Sequence, residues 1–309
     1  MSVVALSGGI GGAKLALGLY RVLPPGELIV VANTGDDFEH LGLSISPDID
    51  TLLYTLARID NPETGWGRRN ETWTFMAALE TLGGETWFKL GDGDLATHVE
   101  RSRRLAGETL SEITDDFRCR LGISAQLLPM SNDRVRTRLL SEEGWLDFQD
   151  YFVRRRAAPV VRKIVYAGAE RAQVNPDFLA ALAQNDLDAV VICPSNPFLS
   201  IDPILSVPGV RDALRACRAP VVGVSPIIGG KAVKGPTAKI MAELGLPVDA
   251  AAVARHYEDF LDVLITDGGD AREVEGIGIQ VTSSNTLMLT IEDREALARA
   301  VLAAADRGF

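Results

Sequence analysis

Three aspartates are the first residues whose type and spacing suggest chemistry. Asp36 and Asp37 end the run Asn33-Thr34-Gly35-Asp36-Asp37, just after an apolar stretch over residues 28–32, and Asp50 lies in Ser46-Pro47-Asp48-Ile49-Asp50-Thr51. Adjacent carboxylates repel each other and any anionic ligand unless a cation lies between them. Hard oxygen donors of this kind suit Mg²⁺, which keeps several waters and shares substrate phosphates. The simpler reading of Asp36 and Asp37 is an Asx turn with a helix cap. Asp48 reads as a helix N-cap and Asp50 as a first-turn residue favoured by the helix dipole. Capping accounts well for one aspartate and less well for two.

Positive potential comes from two glycine-rich turns that carry lysine. Ser7-Gly8-Gly9-Ile10-Gly11-Gly12-Ala13-Lys14 follows a short apolar run and opens a stretch with helical spacing. Gly229-Gly230-Lys231-Ala232-Val233-Lys234-Gly235-Pro236 precedes a second helix start at Thr237. Glycines at a helix N-terminus would leave backbone N–H groups open to an anion, and the dipole favours it. The first turn is neither a Walker A loop nor Gly-x-Gly-x-x-Gly, because Lys14 stands where the last glycine should be. A tight connection without a ligand is the alternative for the first turn, and a mobile surface loop for the second.

The elements that position these residues alternate strand and helix. Apolar runs over 3–6, 28–32, 163–167, 188–193, 220–224, 261–265 and 276–281 read as strands,. Together they predict a Rossmann-like α/β fold, a mostly parallel sheet with helices on both faces. Polar or glycine-rich turns follow Leu6, Val31, Cys193 and Val224, which points to one nucleotide or phosphoester site along a sheet edge,. The rhythm breaks over residues 61–159. The expected organisation is therefore a single domain, with a core of 1–60 and 160–309 and an inserted helical and β-hairpin lobe. Helices are expected there over 71–82, 94–105 and 111–120, the last capped by Ser111, followed by a hairpin from 135–139 and 145–152. Trp66, Trp73 and Trp87 fall in this lobe, either as core or as the wall for an aromatic ligand,.

Composition narrows the partners. With 42 Asp and Glu against 31 Lys and Arg, the net charge of −11 disfavours nucleic acid or an anionic membrane and suits a small anionic substrate held locally,. The basic clusters Arg101-Ser102-Arg103-Arg104 and Arg154-Arg155-Arg156 read as solvated faces,. Three cysteines without pairing or metal spacing make a reducing cytoplasm the expected setting,. No removable leader or membrane span is expected, and no nucleophile turn or His-Glu-x-x-His motif is present,. Without a side-chain nucleophile, direct transfer of a phosphoryl-type group to a bound acceptor is the economical chemistry.

Nine segments taken in order resemble the CofD/FbiA family, the 2-phospholactate (or phosphoenolpyruvate) transferases of coenzyme F(420) biosynthesis. They include Gly8-Gly9-Ile10-Gly11-Gly12, the two aspartate motifs, Lys89-Leu90-Gly91-Asp92, Ala96-Thr97-His98, Leu128-Pro129-Met130, Phe148-Gln149-Asp150, Pro194-Ser195-Asn196-Pro197 and Ser225-Pro226-Ile227-Ile228-Gly229. The resemblance implies Mg²⁺ dependence, a homodimer, and transfer of a phospho-acid from a guanosine diphosphate-linked donor to the deazaflavin alcohol Fo with release of GMP. It implies that Asp50 and Lys89 contact Fo, with Asp50 able to help deprotonate the attacking hydroxyl. Gly9, Gly11, Gly12, Lys14, Asn33, Thr34, Ser195, Asn196, Ser225, Gly229, Lys231 and Gly235 would hold the nucleotide, and Asp36, Asp37 and Asp50 the metal. Asp50→Asn is expected to leave the fold intact while cutting turnover. The alternative is a nucleotide-sugar-binding regulator of the gluconeogenesis-factor-like type, whose members lack the Ser-Pro-Asp-x-Asp and Phe-Gln-Asp segments.

Overall fold

In the first strand, β1 (Ser2–Ser7), alternate residues enter two different cores: Val4 and Leu6 one, Val3 and Ala5 the other. Burial on both sides is what a parallel sheet covered by helices on both faces requires. The computed structural model, which describes residues 2–233, 235–274 and 276–306, has this architecture. Its main sheet adds β2 (Leu28–Ala32), β3 (Gln126–Pro129), β4 (Leu187–Ile192), β5 (Val221–Val224), β6 (Val263–Thr266) and β7 (Gln280–Ser283). All neighbours are parallel, in the order β7-β6-β5-β4-β1-β2-β3. The order reverses between β1 and β4, so a crevice opens beyond their carboxyl ends.

Helix α1 (Gly9–Val22) and α2 (Pro47–Leu56) cover one face together with the helix Ile291–Asp306. Gly18 lets α1 lie directly on that last helix; a Cβ there would come within 2.2 Å of the Arg294 carbonyl oxygen. Phe178, Val210, Leu214, Ile240 and Val253, from four short helices, cover the opposite face. No helix among the described residues is long and apolar enough to cross a membrane.

Several expected boundaries move. Gln126–Pro129, placed by sequence in the inserted lobe, is a strand of the main sheet, and the helix Leu110–Arg120 packs beside it. The strand Val161–Ala167, expected in the core, instead pairs antiparallel with Arg136–Ser141, which also pairs with Gly144–Asp147. Its physical signature is half-exposure, with Arg162 and Lys163 on the surface, whereas a central parallel strand is apolar on both sides,. The hairpin is shorter than expected because a π-turn, Asp150–Arg154, follows it. Thr109, not Ser111, caps the helix Leu110–Arg120, in a reciprocal capping box with Glu112,. Ser46 precedes α2 at the N-cap position and Pro47 occupies its first turn, which leaves the Asp48 carboxylate free for another role.

Candidate active site

The start of α1 is pressed against the turn after β4. A Cβ on Gly11 would sit 2.4 Å from the Pro194 carbonyl oxygen, and one on Gly12 would sit 2.5 Å from both Ser7 Oγ and Ser195 Oγ. Two of the glycines thus serve close approach of protein to protein, not clearance for an anion. The Gly9 N–H is taken as well, by Asp48 Oδ1 at 2.6 Å. Asp48 Oδ2 accepts from Asn33 Nδ2 at 2.9 Å, and the same amide lies 3.5 Å from Asp36 Oδ1. Asn33 therefore joins the ends of β2 and α2, and brings two buried carboxylates to one amide at the strand-order reversal.

Burial and the neighbouring charges of Asp48 and Asp37 hold the Asp36 carboxyl well above the usual range. Burial pushes Asp48 up to about 6, although Asn33 and the Gly9 N–H favour its charge. Asp36 and Asp48 both line a cleft of ≈ 720 Å³ that runs across the carboxyl ends of β1 and β4. They receive an amide and a backbone N–H, and a buried carboxylate pair with so little positive charge beside it fits a divalent ion. Among the described residues no group of three or more His, Cys, Asp or Glu side chains could hold a metal. Two carboxylates would leave the remaining positions around a divalent ion to water and to a ligand's phosphates.

Asp50 belongs to a different network. Both its oxygens accept from the guanidinium of Arg101, whose side chain is 1% exposed, and His98 Nδ1 lies 3.6 Å away. His98 Nε2 is 3.2 Å from Asp94 Oδ2, and Asp94 Oδ1 accepts from the Tyr54 hydroxyl at 2.7 Å. Burial opposes the Asp94 charge, yet bonds from His98 and Tyr54 hold its carboxyl below the usual range. Arg101, expected on a solvated face, is instead the buried counter-charge of Asp50. The helix Asp92–Arg104 places Asp94, His98 and Arg101 at i, i+4 and i+7, one face turned inward,. That spacing was the available signal, masked by exposed Arg103.

Of the residues expected in the site, Gly9, Gly11, Lys14, Asp36, Asp50, Lys89, Ser195, Asn196, Ser225 and Gly235 line the cleft. The Lys14 ammonium donates to the Met288 carbonyl at 2.8 Å. Gly12 and Asn33 lie behind the wall. Thr34 and Asp37 are not on it either: they face a second hollow of ≈ 300 Å³ beside Arg136. Asp37 accepts from Ser46 Oγ at 2.9 Å, and burial pushes it up to about 7 against the pull of Arg136. The three aspartates expected to hold the metal therefore part company: Asp36 lines the cleft beside Asp48, Asp37 faces the second hollow, and Asp50 pairs with Arg101. The Gly229 N–H donates to the Asp270 carboxylate, and Lys231 stands exposed on a small hairpin whose Ile228, but not Lys231, lines the cleft. Lys234 lies outside the described residues.

The cleft has two chemically distinct ends. Tyr54, Trp66, Trp87, Phe88, Phe148 and Phe152 make one end aromatic; the last two rings stack with centroids 5.4 Å apart. Trp73 is exposed elsewhere. The other end is built from Ser195, Asn196, Ser225, Pro226, Gly235 and Thr286.

Fold and cleft define a Rossmann-like α/β protein whose main cleft opens where the strand order reverses. Residues 3–302 match the family model of 2-phospho-L-lactate transferase CofD, and the chain belongs to the CofD family of transferases. Phosphoenolpyruvate transferases from Kitasatospora aureofaciens and Streptomyces griseus are 43% and 42% identical to it; each match covers 99% of this chain and 98% or more of the relative. The one from Mycobacterium tuberculosis is 38% identical over 99% of this chain and 98% of its own. A solved UPF0052-family protein from Bacillus halodurans shares the fold, with TM-score 0.66 and 16% identity over 97% of this chain and 98% of that one.

Proposed function

We propose that this protein transfers a phospho-acid from a guanylylated donor to a ribityl hydroxyl of the deazaflavin Fo and releases GMP. The acid is 2-phospholactate, phosphoenolpyruvate or 3-phosphoglycerate, and the relatives' names favour phosphoenolpyruvate. One observation carries the reading: a single cleft of ≈ 720 Å³ is lined both by a buried carboxylate pair, Asp36 and Asp48, and by six aromatic side chains suited to stacking on a flat ring system,.

In this reaction the hydroxyl oxygen of Fo forms a bond to the phosphorus bearing the acid. The bond from that phosphorus to the bridging oxygen breaks, and GMP departs with the oxygen and its electron pair. Asp50 is proposed to accept the hydroxyl's hydrogen bond and draw off its proton. Arg101 uses two of the lone pairs of its carboxylate and leaves others for the substrate,. Lys89, exposed at the aromatic end, is proposed to contact the acceptor. Lys14, Ser195, Asn196, Ser225 and Gly235 are proposed to hold the guanosine diphosphate part. Asp36 and Asp48 would hold Mg²⁺, which when bound offsets charge developing on the departing phosphate.

The test is direct. The purified protein is incubated with Fo, Mg²⁺ and each guanylylated acid, and the products are weighed by mass spectrometry. A mass equal to Fo plus the phospho-acid residue, together with GMP, supports the reading; unchanged Fo with all three donors overturns it.

A further inference from the structure

The three consecutive arginines 154–156 have different fates. Arg154 stacks its guanidinium 4.5 Å from the Trp87 ring centroid and reaches Glu85 at 3.5 Å. Arg155 is paired with Asp150 and Glu143. Arg156 lines the cleft, and among the described residues it makes no ion pair or side-chain hydrogen bond. Its backbone is unusual as well: Arg156 and Ala157 both take φ of +52°, a left-handed conformation that L-residues rarely adopt,. The Ala157 N–H is fixed to the Tyr151 carbonyl at 2.9 Å, so the preceding π-turn enforces that conformation. Two anchored arginines and a constrained backbone set the third arginine on the wall of the cleft, its five donors unspent,.

We infer that Arg156 binds the carboxylate of the phospho-acid being transferred and so sets donor specificity, an inference that rests on the transfer reaction proposed above. The diphosphate and the attacking hydroxyl already have candidate partners in the cleft. The carboxylate shared by all three donor acids needs a cation of its own. A guanidinium fork matches its two oxygens better than the point charge of Lys89 does.

The experiment compares two donors, guanylylated 2-phospholactate and the β-ethyl ester of GDP, which lacks only the carboxylate. Each is assayed with Fo for the wild type, Arg156→Gln and Arg156→Lys, and the readout is the ratio of kcat/KM for the two donors. The wild type is expected to favour the carboxylate donor by about 10- to 100-fold, the worth of hydrogen bonds to a charged group. Arg156→Gln is expected to bring the ratio near one, and Arg156→Lys to fall between. A purely structural role would slow both donors alike and leave the ratio unmoved. A wild-type ratio near one, or an unchanged ratio in whichever variant folds, overturns the role of Arg156. Where the wild type uses another of the three guanylylated acids instead, the same ratio is read with that donor and its decarboxylated analogue; failure to transfer from any of the three overturns the proposed reaction, and this inference with it.

Discussion

Asp48 and Asp50 stand two residues apart on α2 and live in opposite surroundings. Asp48 faces a backbone N–H and an amide; Asp50 is paired through both oxygens with a buried guanidinium. Asp50→Asn should therefore not be structurally silent, contrary to what the sequence suggests. It leaves Arg101 buried without its counter-charge, a loss of about 3–5 kcal/mol that urea denaturation will measure alongside the fall in turnover. The raised carboxyls give a second outcome at this scale. Asp48 and Asp37, held at about 6 and about 7, keep protons in the folded chain that the unfolded chain releases near the ordinary value of 3.8. Their stabilisation is complete below that value and is lost as pH rises through 6 and 7,. In EDTA the melting midpoint should drop between pH 5 and pH 7.5, and Mg²⁺ should restore more of it at pH 7.5. A flat midpoint across that range would contradict the raised carboxyls of Asp37 and Asp48.

At the scale of elements, the turn between β1 and α1 works by contact. Gly11→Ala should force the helix start off the Pro194 carbonyl, with a cost of about 1–3 kcal/mol measurable by denaturation, and should weaken GDP binding in calorimetry,. Sequence foretold the strands that lie in the middle of the sheet because two-sided burial writes them as unbroken apolar runs such as Val3–Leu6 and Leu28–Ala32. It missed β3, whose two buried leucines are too short a run to stand out, and misplaced Val161–Ala167, whose surface charges mark it in hindsight as an outer strand. The site was legible as glycines, aspartates and turns at strand ends. It was not legible as partnerships: which carboxylate faces an amide and which an arginine 51 residues away depends on packing between helices, and no local pattern records that.

For the whole molecule, the two ends of the cleft should separate in kinetics. Phe152→Ala, which removes one of two stacked rings, should raise KM for Fo about tenfold and leave KM for the guanylylated donor near its wild-type value,. Lys14→Ala, on the α1 side, should do the reverse. Equal effects of each variant on both substrates would mean that the cleft is not divided. The net charge of −11 fits this division, since the cationic groups needed for an anionic substrate are gathered at the cleft while the chain at large repels polyanions,.

The seat of Gly18 on the last helix, and the pairing of β1 with a strand some 180 positions downstream, also govern how the protein is made. Until those later segments are made, β1 has β2 beside it but not β4, and the face of α1 that packs on the helix Ile291–Asp306 is bare. The turn between β1 and α1 therefore takes its final shape only once β4 and the helix Ile291–Asp306 have joined the sheet, which makes its closure a late, long-range step of folding,.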